Sequence, residues 1–223
     1  LSESDFIIIC APMGSYMKIF KTIDKYKKSS AIITDIGSTK KNIIDLSKLV
    51  ISNPYDCFLG SHPLTGKETS GVTSYENNLF NKAVVFVTPT DKSNKILIKK
   101  ISKFWKDMKC KVTVISSELH DLVLSETSHL PHLVSFALVN IILNTKSIKN
   151  IKDYTGGGFR DFARLAHSDA LMWNDICMSN NQNIISSINM LIKELSLIKT
   201  MVESNDKSLR LYLNRIKTKL DKK

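Results

Sequence analysis

The sequence predicts an α/β domain followed by an all-α one, with the change of character near Ser116. Three observations carry this reading. Before Ser116, short β-rich runs alternate with amphipathic segments. Some of those runs, such as Phe6-Ile-Ile-Ile-Cys-Ala11, are apolar without interruption. After Ser116, apolar residues recur at intervals of three and four almost to the end, as in helices that bury one face. An unbroken apolar run suits a strand covered by helices on both sides, hence a largely parallel sheet. The expected division is 1–115 and 116–223.

Taken in order, strands are expected over 5–11, 31–36, 56–60, 83–88 and 111–115. Their residues are apolar and β-branched, and turn-forming residues bound them. Helices are expected between them over 15–27, 39–50 and 94–108. Ser117 with Glu118 marks a helix start, and Asp169 before Ala-Leu-Met-Trp173 marks another. The periodicity of 183–201 and 208–220 predicts two closing helices.

The chain has 223 residues and a net charge of +11, from 32 Lys and Arg against 21 Asp and Glu. Its lysines are scattered over every expected helix and no aromatic residues interleave with them. The excess therefore reads as solvated helix faces rather than a nucleic-acid surface. Cys10, Cys57, Cys110 and Cys177 lie tens of residues apart, with no zinc-knuckle or redox spacing. They read as reduced thiols of a cytoplasmic protein. The longest apolar runs, 6–13 and 133–143, fall short of the roughly 20 residues of a membrane span, so no membrane partner is expected.

Three segments concentrate groups that a core does not select. In Gly60-Ser-His-Pro-Leu-Thr-Gly-Lys-Glu-Thr-Ser-Gly71, His62 is expected just after a strand, with Pro63 fixing the exit and Glu68 nearby. That position suits a catalytic base. In the second segment, Asp121, Ser125, Ser128 and His132 fall on one stripe of a helix at 100° per residue. Pro131 should kink that helix beside His132, at a cost of about 3 kcal/mol. His132 is therefore kept as a site residue. Asp121 lies about 16 Å further along the helix and is assigned to helix-start and dipole duty, while His129 reads as a satisfied core histidine. In the third, Gly156-Gly-Gly158 frees the backbone before Asp161 and Arg164, which stand three apart on the next helix between Phe159 and Phe162. An arginine backed by a carboxylate suits bidentate capture of a substrate carboxylate.

These motifs, with Asp35-Ile-Gly-Ser-Thr-Lys40, Glu118-Leu-His-Asp121 and Trp173, resemble the prephenate dehydrogenase family over residues 2–199, in the family's order. The resemblance implies a truncated Rossmann-like nucleotide-binding domain plus a C-terminal helical dimerisation domain. It implies oxidation of prephenate with NAD or NADP and loss of carbon dioxide to give 4-hydroxyphenylpyruvate, in tyrosine biosynthesis. Arogenate is the competing substrate, and an inactive remnant acting as a dimerisation module is the competing role.

By the same resemblance His62 is the catalytic histidine and Ser38 places the ring hydroxyl and the nicotinamide. His132, Arg164, Glu68, Asp161, Gly157 and Trp173 bind substrate, Trp173 reaching in from the partner of a homodimer. Pro12, Met13, Asp35 and Ser38 line the nicotinamide end of the cofactor. His62 and Arg164 should then face each other across a small hollow, in the lone subunit or its assembly. No Gly-x-Gly-x-x-Gly turn occurs in the sequence. The resemblance therefore implies a chain that starts at the family's fourth strand, with weak or absent NAD binding. It also implies an apolar edge over 6–11 that another chain or strand exchange would cover.

Overall fold

In a computed structural model, residues 1–66, 76–145, 156–204 and 207–222 are described. Five strands form one sheet in the order β1 (Phe6–Ile9), β2 (Ile32–Asp35), β3 (Phe58–Pro63), β4 (Val84–Thr88), β5 (Lys111–Val114). The pairings β1/β2, β2/β3 and β4/β5 are parallel, while β3/β4 is antiparallel with His62 opposite Phe86. The expected α/β sheet is thus present, as a mixed sheet. All five strands fall within or beside the expected runs. The third differs most, because Pro54–Cys57 closes a helical turn, α3, and the strand begins only at Phe58. His62 accordingly lies inside β3 rather than after it.

Helices cover both faces of the sheet. On one side α1 (Tyr16–Tyr26) and α2 (Lys41–Val50) pack Tyr16, Phe20, Ile23, Ile43 and Ile44 against Ile9, Ile33 and Phe58. On the other, α4 (Lys95–Asp107) presents Leu97, Ile101 and Trp105 to Leu59, Val85 and Val87. Burial of apolar area on both faces is the main stabilising term, at about 25 cal/mol per Å². Trp105 is also tied by its indole N–H to the Ser61 hydroxyl at 3.0 Å, so the α4 face grips the strand that carries His62.

Beyond β5 the chain is helical. Ser116 caps α5 (Ser117–Leu124), its hydroxyl accepting from the Leu119 N–H at 3.1 Å. Then come a π-helical turn (Ser125–His129), α6 (Leu130–Leu143), α7 (Gly157–Ala166), α8 (Ala170–Ser179), α9 (Asn181–Ser204) and α10 (Ser208–Leu220). Asp169 caps α8 as expected, accepting from the Met172 N–H at 2.7 Å.

The anticipated kink at Pro131 takes another form. The π-turn closes with the Leu130 N–H on the Ser125 carbonyl, so Pro131 follows directly on a widened turn within one continuous helical run, and the wider turn makes room for a residue with no N–H to donate. The turn also inserts one residue into the helical phase, which breaks the single stripe expected of Asp121, Ser125, Ser128 and His132.

Truncating Trp105, which is 1% exposed, should be among the more damaging single changes in the sheet domain. Trp105→Ala is expected to lower unfolding free energy by about 3–5 kcal/mol in chemical denaturation. Trp105→Phe, which loses mainly the bond to Ser61, should lower it by about 1–2 kcal/mol.

Candidate active site

The site forms where the helical region meets the carboxyl ends of β1, β2 and β3. Helix α2 begins without a cap of its own, because Lys40 occupies the N-cap position and no acidic residue lies in its first turn. Its orphan amides are satisfied from outside. The Asp121 carboxylate on α5 accepts from the Lys40 N–H at 2.8 Å through one oxygen and from the Lys41 N–H at 2.9 Å through the other. Asp121 therefore serves the dipole of α2, not the start of its own helix, because α5 lays its buried face over the beginning of α2.

From Asp121 a chain of side chains leads to the cleft. His120 Nδ1 is 2.7 Å from Asp121 Oδ1, and His120 Nε2 is 2.8 Å from His62 Nδ1. Phe86 stands edge-on to the His120 ring, with centroids 5.5 Å apart. Burial pushes the His62 imidazole well below its ordinary pKa, and the neighbouring His120 and Lys40 add to this. Burial also lowers His120, against the opposing bond from Asp121. His129 is brought down by burial to about 4. These rings are neutral near pH 7.

Beneath them lies a second buried polar group. The Lys40 ammonium contacts the Asp35 carboxylate and donates to the Ser61 carbonyl at 2.8 Å. Asp35 also accepts from the Gly37 N–H at 2.9 Å, the Ser61 N–H at 3.1 Å and the Tyr16 hydroxyl at 3.2 Å. Burial lowers the Lys40 pKa while Asp35 opposes the shift. Gly37 is required here, since a Cβ would lie 2.7 Å from Ile43 Cδ1. The network holds the 35–40 loop rigidly against β3.

Above it opens a cleft of about 450 Å³, lined by Ser38, His62, Pro63, Leu64, Thr65, Leu124, Thr127, Ser128, His129, Met172, Trp173 and Ile176. Trp173 is 6% exposed, and its indole N–H is buried with no hydrogen-bond partner among the described residues. The His132 ring stacks on it at 4.2 Å between centroids and bonds through Nδ1 to the Ser128 carbonyl at 2.9 Å. A three-residue helical turn, Met13–Ser15, closes the junction: Thr39 donates to the Met13 sulfur at 3.1 Å and the Gly14 N–H donates to Asp175 on α8 at 2.9 Å.

The structure thus gathers Ser38, His62 and Trp173 about one cleft, with His132 stacked on Trp173 but not itself lining it, and Met13 packed against Trp173's cluster. Pro12 is exposed at the head of the Met13 turn. Asp35 is fully buried and its oxygens are engaged by protein donors, so it shapes the loop. Glu68 lies outside the described residues. Two expectations change. Trp173 lines the cleft of its own chain, because α8, anchored through Asp175, presses it against His129 and His132. Arg164 and Asp161 are exposed on α7, with Gly157 in its first turn, and none lines the cleft. Helix α7 packs on α6 through the Ser135 hydroxyl and the Phe162 carbonyl, which leaves Arg164 at the surface of the single chain. His129 is, as expected, a buried histidine with a partner, Asn180 at 3.3 Å, yet it also lines the cleft. Sequence reasoning assigned no role to His120 or Lys40. Their only signals were a His-Asp pair on an apolar helix and a lysine standing where a helix cap belongs.

A mixed sheet covered by helices joins a helical region here, and neutral histidines stand at the joint. Residues 1–114 match the family described as prephenate dehydrogenase, nucleotide-binding domain, and residues 116–215 match prephenate dehydrogenase, dimerization domain. The chain belongs to the prephenate dehydrogenase family. It is 31% identical over 208 residues to prephenate dehydrogenase of Bacillus subtilis, covering 92% of this chain and 56% of that protein. It is 30% identical over 206 residues to cyclohexadienyl dehydrogenase of Zymomonas mobilis, covering 92% and 70%. The solved Aquifex aeolicus prephenate dehydrogenase, in complex with hydroxyphenyl propionate and NAD+, superposes with a TM-score of 0.90 at 34% identity over 98% of this chain and 76% of that one. The chain spans little more than half the length of the Bacillus relative.

The buried neutral histidines give stability a distinct pH dependence. His62, His120 and His129 all have folded pKa values depressed below the ordinary value near 6.5, so the unfolded chain takes up protons first as pH falls. Their contribution is complete above about 6.5 and is lost toward about 4, where His129 titrates in the fold. Denaturation measured between pH 7.5 and 4.5 should show stability falling from about pH 6.5, by at most about 1.4 kcal/mol per pH unit for each histidine. A flat profile down to pH 5 would contradict the buried, neutral assignment.

Proposed function

We propose that the protein is an NAD-dependent prephenate dehydrogenase of tyrosine biosynthesis, acting in the cytoplasm, with residues 1–115 as its nucleotide-binding part and 116–223 as its substrate-binding and dimerisation part. The observation that carries this reading is the neutral His62 imidazole opening, beside Ser38, into a cleft walled by Trp173, on which His132 stacks. Its chemistry suits the reaction. A neutral imidazole takes the proton of the ring hydroxyl as hydride leaves the same carbon. NAD, when bound, supplies the hydride acceptor. The carbonyl so formed draws in the electron pair released as the ring carboxylate departs as carbon dioxide, and the proton held at His62 returns to the resulting phenolate oxygen. Aromatisation drives the sequence, and the protein's task is alignment.

Ser38 is assigned to placing the hydroxyl, and Pro12 and Met13 to the nicotinamide side, with Asp35 and Lys40 holding the loop between them. The residues present fit that end of the cofactor. They contain no glycine-rich turn for its pyrophosphate. Carboxylate binding is assigned to Arg164, with Asp161 and Gly157 near it on α7 and Glu68 beyond β3. Since Arg164 does not line the cleft of one chain, this assignment requires the assembly. A second substrate reading, arogenate, is favoured by the Zymomonas relative, which is named a cyclohexadienyl dehydrogenase.

A homodimer through the C-terminal helices is part of the proposal. Only Ser135 of the apolar helix α6 is buried, with Ile141 and Leu143 each 65% exposed, and α9 leaves Ile185, Ile192, Leu195 and Val202 more than half exposed. By length and composition the continuous run 117–143 passes as a membrane span, contrary to the sequence expectation. Its buried Ser117, His120, Asp121, Ser125 and His129 nevertheless pack against protein, so a protein partner is the better cover for its apolar face.

Reduction of NAD or NADP should be seen with prephenate, or with arogenate on the second reading. His62→Asn should lower kcat by about 10²-fold or more while the protein stays folded; turnover that survives this change would exclude the proposed base. Ile141→Glu should convert a dimer to monomer by sedimentation, whereas a wild-type monomer at micromolar concentration would refute the assembly.

A further inference from the structure

The hydrogen-bond chain from α2 to the cleft contains a residue with no assigned task, His120. We infer that His120 is a positioning residue that dictates which nitrogen of His62 carries the proton, leaving His62 Nε2 bare toward the substrate. This rests on the proposed dehydrogenase reading for its consequence, and on the local geometry alone for the proton placement.

The proton placement is set from the helix terminus outward. Both oxygens of Asp121 accept from backbone amides of α2, at 2.8 and 2.9 Å, so this buried carboxylate sits in the positive end of a helix and acts only as an acceptor. The hydrogen in its 2.7 Å contact with His120 must therefore belong to His120 Nδ1. A neutral imidazole has one such hydrogen, so His120 Nε2 is an acceptor. Its neighbour at 2.8 Å, His62 Nδ1, must then donate. The one hydrogen of neutral His62 is thereby committed to Nδ1, and Nε2, on the ring edge turned away from His120, keeps its lone pair. That is the state a base needs. The opposite tautomer would present an N–H to a hydroxyl that must lose its proton. Burial supports the neutral form of both rings, and the Phe86 ring packs edge-on against His120.

The relay also ties base to cofactor loop. Lys40, whose amide Asp121 accepts, closes the 35–40 loop that carries Ser38. A shift of α2 would therefore be felt at His62 through two side chains.

Nitrogen-15 spectra of histidine-labelled protein at pH 7.5 test the proton placement directly. His62, assigned by its loss in His62→Asn, is expected to show a protonated Nδ1 and a bare Nε2; a protonated Nε2 in the wild type overturns the inference whether or not the protein turns over prephenate. Kinetics test the role. His120→Leu removes the acceptor and should lower kcat about 10- to 100-fold with the substrate KM changed less than about threefold, whereas His120→Gln, which returns an acceptor oxygen, should recover most of the loss. Equal activity of His120→Leu and wild type, or equal loss in both variants with matching thermal unfolding, would overturn it. Wild-type protein with the expected tautomer and no activity toward prephenate or arogenate would instead fail the functional proposal and leave the proton placement standing.

Discussion

The architecture turns on one carboxylate. Asp121 belongs to the helical region by sequence, yet its oxygens complete the first turn of a helix in the sheet region. Without it, α2 would begin on a lysine with its leading amides unpaired in a buried setting, which is among the costlier defects a fold can carry. This single contact sets the angle at which α5 lies over the sheet. It thereby decides where His120 and, after the π-turn, His129 and His132 stand relative to His62. The cleft is a consequence of that docking.

A second constraint lies directly below. The Lys40 and Asp35 pair is fully buried, and such a pair is rarely retained for stability alone, because desolvating both charges offsets most of their attraction. Its value here is geometric. Asp35 gathers the amides of Gly37 and Ser61, and Lys40 reaches the Ser61 carbonyl. The 35–40 loop and β3 cannot then slide past one another. Ser38 and His62, drawn from two different strand ends, are held in register by groups that never reach the cleft themselves.

The helical region shows the complementary situation, with much apolar surface and little local cover. Helices α6 and α9 have few buried residues among the described ones, and their apolar faces remain open in the single chain. The proposed homodimer would cover a face of this size. In that proposal the dimer is also where α7 and Arg164 would act, since neither lines the cleft of one chain. The strong net charge is compatible with this arrangement because most of the lysines are exposed, Lys40 being the buried exception.

The strands and most of the helices, the change of architecture near Ser116, the cap at Asp169, a helix start placed at Ser117 one residue from the true cap at Ser116, and the prominence of His62 and His132 were legible from residue types and spacing. These signals are local: periodicity, turn chemistry and capping act over a few residues, and they survive any tertiary arrangement. What only the folded chain decided are the relations between distant segments. The cap that Asp121 lends to α2, the burial of Lys40 against Asp35, the pairing of His120 with His62 and the inward turn of Trp173 all join residues with no shared sequence pattern. The π-turn before Pro131 belongs with them, because a one-residue change of helical phase is chosen by what the helix packs against rather than by its own composition.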